Sequence, residues 1–344
     1  MTRIGPVIAT SLLALLLTAC GASEDGPERL DQYLKRLAGA LDEALPERLL
    51  SATARISAAD LTALPVTRST IDVLDFLSLS GCALQINLGR RNSALGRTAT
   101  PSQRLLLDLE FLDLAPACIA EMRTTNRSSL AEQLSIMADS RRNELPISLY
   151  NAILAGPEFQ QFWQIPNTLS DYPAHTNNDV TDTLQRLDIL TKSWLAGDYR
   201  VDNMAFEQLL AKLRAGDGGA LLEAANVQSA MLAQADAILA EASLGKPLCS
   251  PTLKSPKVDI VRKVINQYFA DDVQRWLADV AKRRHLLLPP IESLETRLSA
   301  ILPANYRRWQ TARAQQIADL GGASRRHVEA IQYLLRNCPG MPGN

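Results

Sequence analysis

An excess of positive charge is missing from this chain. It carries 36 Lys and Arg against 37 Asp and Glu, a formal net charge of −1. A phosphate backbone is held by grouped basic residues, so this balance argues against nucleic acid as a partner. Histidine is scarce: His175, His285 and His327 are widely separated, and only His327 lies near a cysteine, eleven residues before Cys338. No C-x-x-C spacing occurs, so the metal reading has little to stand on, and neither a metal nor a cofactor is expected. The G-x-S-x-G elbow, H-E-x-x-H and the P-loop are absent too, which removes common signatures of acyl hydrolases, zinc proteases and nucleotide-binding loops. Gly216-Asp217-Gly218-Gly219 follows no strand pattern and reads as a helix end followed by a new start. Asp271 and Asp272 are adjacent, point to different sides of a helix and do not make an acid–base dyad. No catalytic residue stands out, and the reading leans away from an enzyme.

What is present begins at the N-terminus. Arg3 precedes an apolar run from Ile4 to Ala19, matching the charged and apolar regions of a secretory signal. The run is shorter than the ~20 apolar residues that span a bilayer as a helix. It ends in Leu17-Thr18-Ala19-Cys20, the small-residue pattern of a lipobox. Residues 1–19 are therefore expected to be a lipoprotein signal peptide, with Cys20 lipidated and residues 20–27 a polar tether. Acyl chains contribute about 0.8 kcal/mol per buried methylene, enough for stable residence in a membrane. Position 21 is glycine, not the aspartate that favours inner-membrane retention. The expected location is the outer membrane, facing the periplasm.

Four cysteines remain: Cys82, Cys118, Cys249 and Cys338. An exported chain with an even number permits two disulfides, and three connectivities exist. Two cysteines lie in each half, so Cys82–Cys118 and Cys249–Cys338 are the expected pairs. Hydrophobic residues make up 47% of the chain and aromatics 5%, a composition that suits a folded globular body.

Helical periodicity runs throughout. Leu30, Tyr33, Leu34, Leu37, Leu41 and Ala44 share one face of a helix between Pro27 and Pro46. Thr100-Pro101-Ser102-Gln103 is a capping-box start leading into Leu105 to Leu114. Ser69 and Asp72 suggest a start for Ile71 to Leu79, with Gly81 placed to end it. Further helices are expected over Ser129–Asn143, Val180–Leu195, Asn203–Leu213 and Ala220–Ala242, and from Pro256 past Val280. Ile291–Ile301, Ala304–Leu320 and Ser324–Asn337 complete the set. Cys82 to Leu88 alternates with period two and reads as extended or helical. The fold class is all-α: a large irregular helical domain over 28–338, stapled by two disulfides, followed by a tail at 339–344. The polar loop Pro166–Asp179 divides it into lobes 28–165 and 180–338.

Trp163, Trp194, Trp276 and Trp309 sit within apolar patterns and are expected in the core. Arginine pairs recur at Arg90-Arg91, Arg141-Arg142, Arg283-Arg284, Arg307-Arg308 and Arg325-Arg326. They read as solvated helix faces, as do His285 and His327 beside them. Pairs that converged in space would instead bind lipid phosphates or an acidic partner. Arg90, Arg91, Asn92 and Ser93, between Gly89 and Gly96, form a candidate recognition loop, with a plain structural turn as the alternative.

Several stretches resemble an uncharacterised family of Gram-negative lipoproteins, the domain of unknown function 3080. They are Asp75-Phe76-Leu77 leading to Cys82, Gly89 to Gly96, Pro101 to Leu106, Ala115 to Ile119, Gly156-Pro157-Glu158-Phe159 and Leu334 to Cys338. The resemblance implies a shared cysteine framework across nearly the whole mature chain and no established activity. The combined expectation is a membrane-anchored, non-catalytic lipoprotein that binds an envelope protein or supports assembly. An enzyme acting on cell-wall or lipid substrates is the alternative, and it would show a cleft with an isolated, buried carboxyl of raised pKa. A carrier of lipid or another small ligand would show an apolar cavity.

Overall fold

The computed structural model describes residues 25–48, 52–67, 72–245, 247–249 and 256–338. The leader, Cys20, Ser69 and the 339–344 tail lie outside them. Among the described residues every regular element is helical, and no helix is long and apolar enough to cross a membrane.

Helix α1 (Gly26–Leu41) starts at a capping box in which Asp25 accepts from the Glu28 N–H at 2.8 Å and Glu28 from the Asp25 N–H at 3.2 Å. Leu30, Tyr33, Leu34, Leu37 and Leu41 are buried, as the period predicts. Asp42 ends the helix in a left-handed conformation, φ 55°, so Ala44 falls beyond it and is exposed. Helices α2 (Val73–Ser78), α3 (Ala83–Asn92) and α4 (Ala94–Arg97) precede a hairpin of α5 (Pro101–Thr124) and α6 (Ser128–Leu149). Thr100 and Gln103 form the capping box expected for α5. Helix α6 runs on into a π turn, Tyr150–Leu154.

Helices α7 (Pro157–Phe162), α8 (Asp179–Leu195), α9 (Asn203–Arg214) and α10 (Gly218–Leu244) follow. Next come α11 (Pro256–Val264), a π segment (Ile265–Val273), α12 (Gln274–Arg297) and α13 (Ala304–Leu335). Helix α10 packs along α13, α1 lies across α10 and the π segment, and α8 packs on α12. All four tryptophans are buried, and residues from both sides of the Pro166–Asp179 loop share one apolar core.

At four helix breakers the helix runs on where the sequence predicts a stop. Helix α5 runs through Pro116, α6 through Pro146, α12 through Pro289-Pro290 and α13 through Gly321-Gly322. An interior proline costs about 3 kcal/mol, whereas burying one large apolar side chain returns about 1.5–3 kcal/mol. Ala115 and Cys118, Leu145 and Leu149, and Leu288 and Ile291 are buried on either side of the prolines, and Leu320 and Ala323 flank the glycines. Packing holds both sides of each break in one helix. The alternating stretch after Cys82 is helical, with Leu84 and Leu88 facing the core four residues apart and Ile86 exposed.

The glycine cluster closes α9 and opens α10, as read from the sequence. It also permits a close approach: a Cβ on Gly219 would overlap the backbone carbonyl of Gln164, and one on Gly218 the ring of Phe162. Gly219→Ala is expected to cost about 1–3 kcal/mol through overpacking. Urea unfolding would show this as a lower midpoint with unchanged slope, and an unaltered midpoint would refute it.

Candidate functional site

Both expected disulfides are present. Cys82–Cys118 ties the start of α3 to α5, and Cys249–Cys338 ties the segment after α10 to the end of α13. The first staples α2–α4 to the hairpin, and against this module lies a cleft of about 300 Å³.

One wall of the cleft is the extended segment Ala63 to Val66. It is held by Asn151, whose side chain accepts from the Leu64 N–H at 2.8 Å and donates to the Leu64 carbonyl at 2.9 Å. The opposite wall comes from α3 and α5: Arg91, Pro101, Arg104 and Asp108. Ser148 and Asn151 complete it from α6 and its π turn. Such π turns collect at functional sites because they shift side chains off the regular helical face.

The recognition residues expected from sequence are split by this arrangement. Arg90 and Arg91 lie in the last turn of α3, where Arg90 pairs with Glu110 and Arg91 with Asp108 on α5. Asn92 ends the helix and Ser93 caps α4, its hydroxyl accepting from the Gly96 N–H at 3.0 Å. Only Arg91 of the four lines the cleft. The residues missed by sequence reading are Asp108 and Arg141. A signal existed: each is a charged residue inside an apolar stripe, Asp108 among Leu105, Leu109 and Leu112, and Arg141 between Ala138 and Leu145.

Arg141 is 5% exposed and its guanidinium lies 3.6 Å over the centre of the Phe111 ring. Its nearest carboxylate oxygen, Asp108 Oδ1, is 3.8 Å from Nε, and none of the three guanidinium nitrogens has a hydrogen-bond partner. Burial pulls the Arg141 pKa down to about 10, against the attraction of Asp108. Burial likewise raises the Asp108 pKa above its ordinary value, although Arg91 and Arg141 draw it down. Both partners move towards neutrality, so desolvation outweighs their attraction. Asp108 thus has the burial and the raised pKa expected of an enzyme's acid, but Arg91 holds it and it is not isolated.

Three other buried polar centres are closed. Glu295 receives Tyr306, Gln310 and both terminal nitrogens of Arg313 at 2.7–2.8 Å. Arg283 donates twice to Asp217 and once to the Asn177 carbonyl. His327 corrects the sequence reading: it is fully buried, not on a solvated face. Its ring bridges Tyr33 at 2.8 Å and Asp236 at 2.6 Å, joining α1, α10 and α13. Leu335, Leu320 and Ala323 place that face of α13 inward, which the neighbouring Arg325 and Arg326 obscure in the sequence. Arg141 and Arg283 correct the arginine-pair reading in the same way, while His285 is exposed as expected. Among the described residues no group of three His, Cys, Asp or Glu could hold a metal ion.

No curated protein and no solved structure matches the chain. One family profile does, over residues 30–342, and it covers the hairpin, the cleft and both disulfides. The chain belongs to the family described as proteins of unknown function, DUF3080.

Proposed function

We propose that this protein is a lipoprotein anchored through Cys20 to the outer membrane, where it acts in the periplasm as a non-catalytic module binding an envelope protein. The anchoring half of the reading rests on the lipobox at Leu17 to Cys20. The binding half rests on one structural observation: several large apolar side chains stand exposed within the disulfide-stapled helices α2–α4. Leu74 is 76% exposed, Ile86 67% and Leu95 84%, with Val73 and Leu77 beside them in sequence. Exposed apolar side chains concentrated in one module suit an interaction surface, and the Cys82–Cys118 staple holds that module to the hairpin.

In-cell crosslinking of the tagged protein tests both halves. The native form should capture a specific envelope protein. A Leu74→Asp/Leu95→Asp variant should lose it while still folding, because both side chains are already in water. Retargeting Cys20→Ala through a cleavable signal should also lose it. Equal capture by all three forms would defeat the reading.

A further inference from the structure

We propose that the cleft between α3, α5 and the Ala63–Val66 segment binds a small organic anion, its carboxylate or phosphate held by Arg91 and Arg104 and its apolar part lying on Leu64 and Val66. This inference does not depend on the partner reading above, since none of the exposed apolar residues lines the cleft.

The charge count is the first argument. Arg91, Arg104 and Arg141 surround or back the cleft, against Asp108 and Glu144, which leaves one positive charge uncompensated. No acidic residue occurs between Asp75 and Asp108, so the α3–α4 side supplies only positive charge. Arg104 Nη2 donates to the Arg97 carbonyl at 3.1 Å, and the other edge of its planar fork remains for a ligand. Arg91 gives Nη1 to Asp108, and its remaining nitrogens face the same choice. Such forks suit carboxylate and phosphate because two parallel N–H groups match two oxygens.

Arg141 is the second and independent argument. A guanidinium carries five N–H donors, and buried donors without partners are costly enough that natural folds rarely keep them. Arg141 keeps all of its nitrogens unpartnered. It lies seven residues before Ser148, on the same face of α6, and Ser148 lines the cleft. Arg141 lies behind Asp108, which lines the cleft, so an anion bound there would feel its charge without touching it. Stacking on Phe111 holds the guanidinium ready. The cavity, about 300 Å³, lies at the small end of ligand pockets, roughly 300–1,000 Å³, which limits the guest to a short chain or a single ring.

Calorimetric titration of the purified full-length protein in a neutral detergent would use hexyl phosphate, hexanoate and hexanol. Saturable one-to-one binding of either anion, with none for hexanol, is expected. Arg104→Gln removes a partly exposed side chain outside the core, and it should weaken binding about tenfold. Arg141→Met should weaken it by a smaller factor without lowering the melting temperature, since it removes an unsatisfied buried charge while keeping bulk. Dihexanoyl phosphatidylglycerol separates the sources: tighter binding than hexyl phosphate assigns the anion to a lipid headgroup, and weaker binding to a free solute. No saturable binding of either anion, or equal affinity in the native protein and Arg104→Gln, would overturn the inference.

Discussion

Glu295→Ala should be among the most damaging single substitutions in the body of this protein, lowering stability by about 3–5 kcal/mol. Glu295 is 1% exposed and Arg313 2%, so neither charge has water to fall back on. Arg313 places both terminal nitrogens on the two oxygens of Glu295, and Tyr306 and Gln310 add one donor each. Burial pulls the Arg313 pKa down, yet the attraction and hydrogen bonds of Glu295 prevail and leave it above its ordinary value. Trp163 and Trp309 lie within 5.1 Å of the guanidinium and exclude solvent from it. Removing the carboxylate therefore strands a buried charge and two neutral donors at once. The damage comes from the orphan and not from a large net value of the pair, because desolvation offsets much of the attraction. A Glu295→Leu/Arg313→Met double variant should accordingly recover most of the loss. Urea unfolding of the three proteins would read this. A single variant within about 1 kcal/mol of the native protein, or a double variant worse than the single, would refute the account.

Loss of the Cys249–Cys338 bond should cost a similar amount, about 4–5 kcal/mol on the chain-entropy estimate, because it closes a loop with a sequence separation of 89. Cys82–Cys118, with a separation of 36, should cost about 4 kcal/mol on the same basis. The first bond closes the larger loop, and it fastens the end of α13 beside the partner on which α13 packs. The second fixes a module whose α2 buries no residue of its own, so its removal should release α2–α4 before the rest. Thermal unfolding of the two double-serine variants, with and without reductant, gives the order. Reductant should lower the melting temperature of the native protein and of each variant retaining one bond. A Cys249→Ser/Cys338→Ser protein as stable as the native form would remove the loop argument. Bonds of this kind persist in oxidising compartments, which accords with the proposed periplasmic location.

The all-α class, the apolar face of α1, the start of α5 and the burial of all four tryptophans were legible in the amino-acid sequence. Those signals are local. A capping box acts across four residues and a helical period across a few turns, so neighbours along the chain suffice to write them. The cysteine pairs were legible because each half holds two. Tertiary packing decided where helices end: Pro116, Pro146, Pro289-Pro290 and Gly321-Gly322 are local stop signals that buried neighbours overrule.

Packing also decided the site. Arg91, Asp108 and Arg141 belong to three helices, and only the hairpin and the Cys82–Cys118 staple bring them together. In the sequence each is one charge among many. What distinguishes them is the loss of water on folding, which leaves Arg141 without a hydrogen bond beside a cleft, and desolvation is a property of the assembled fold.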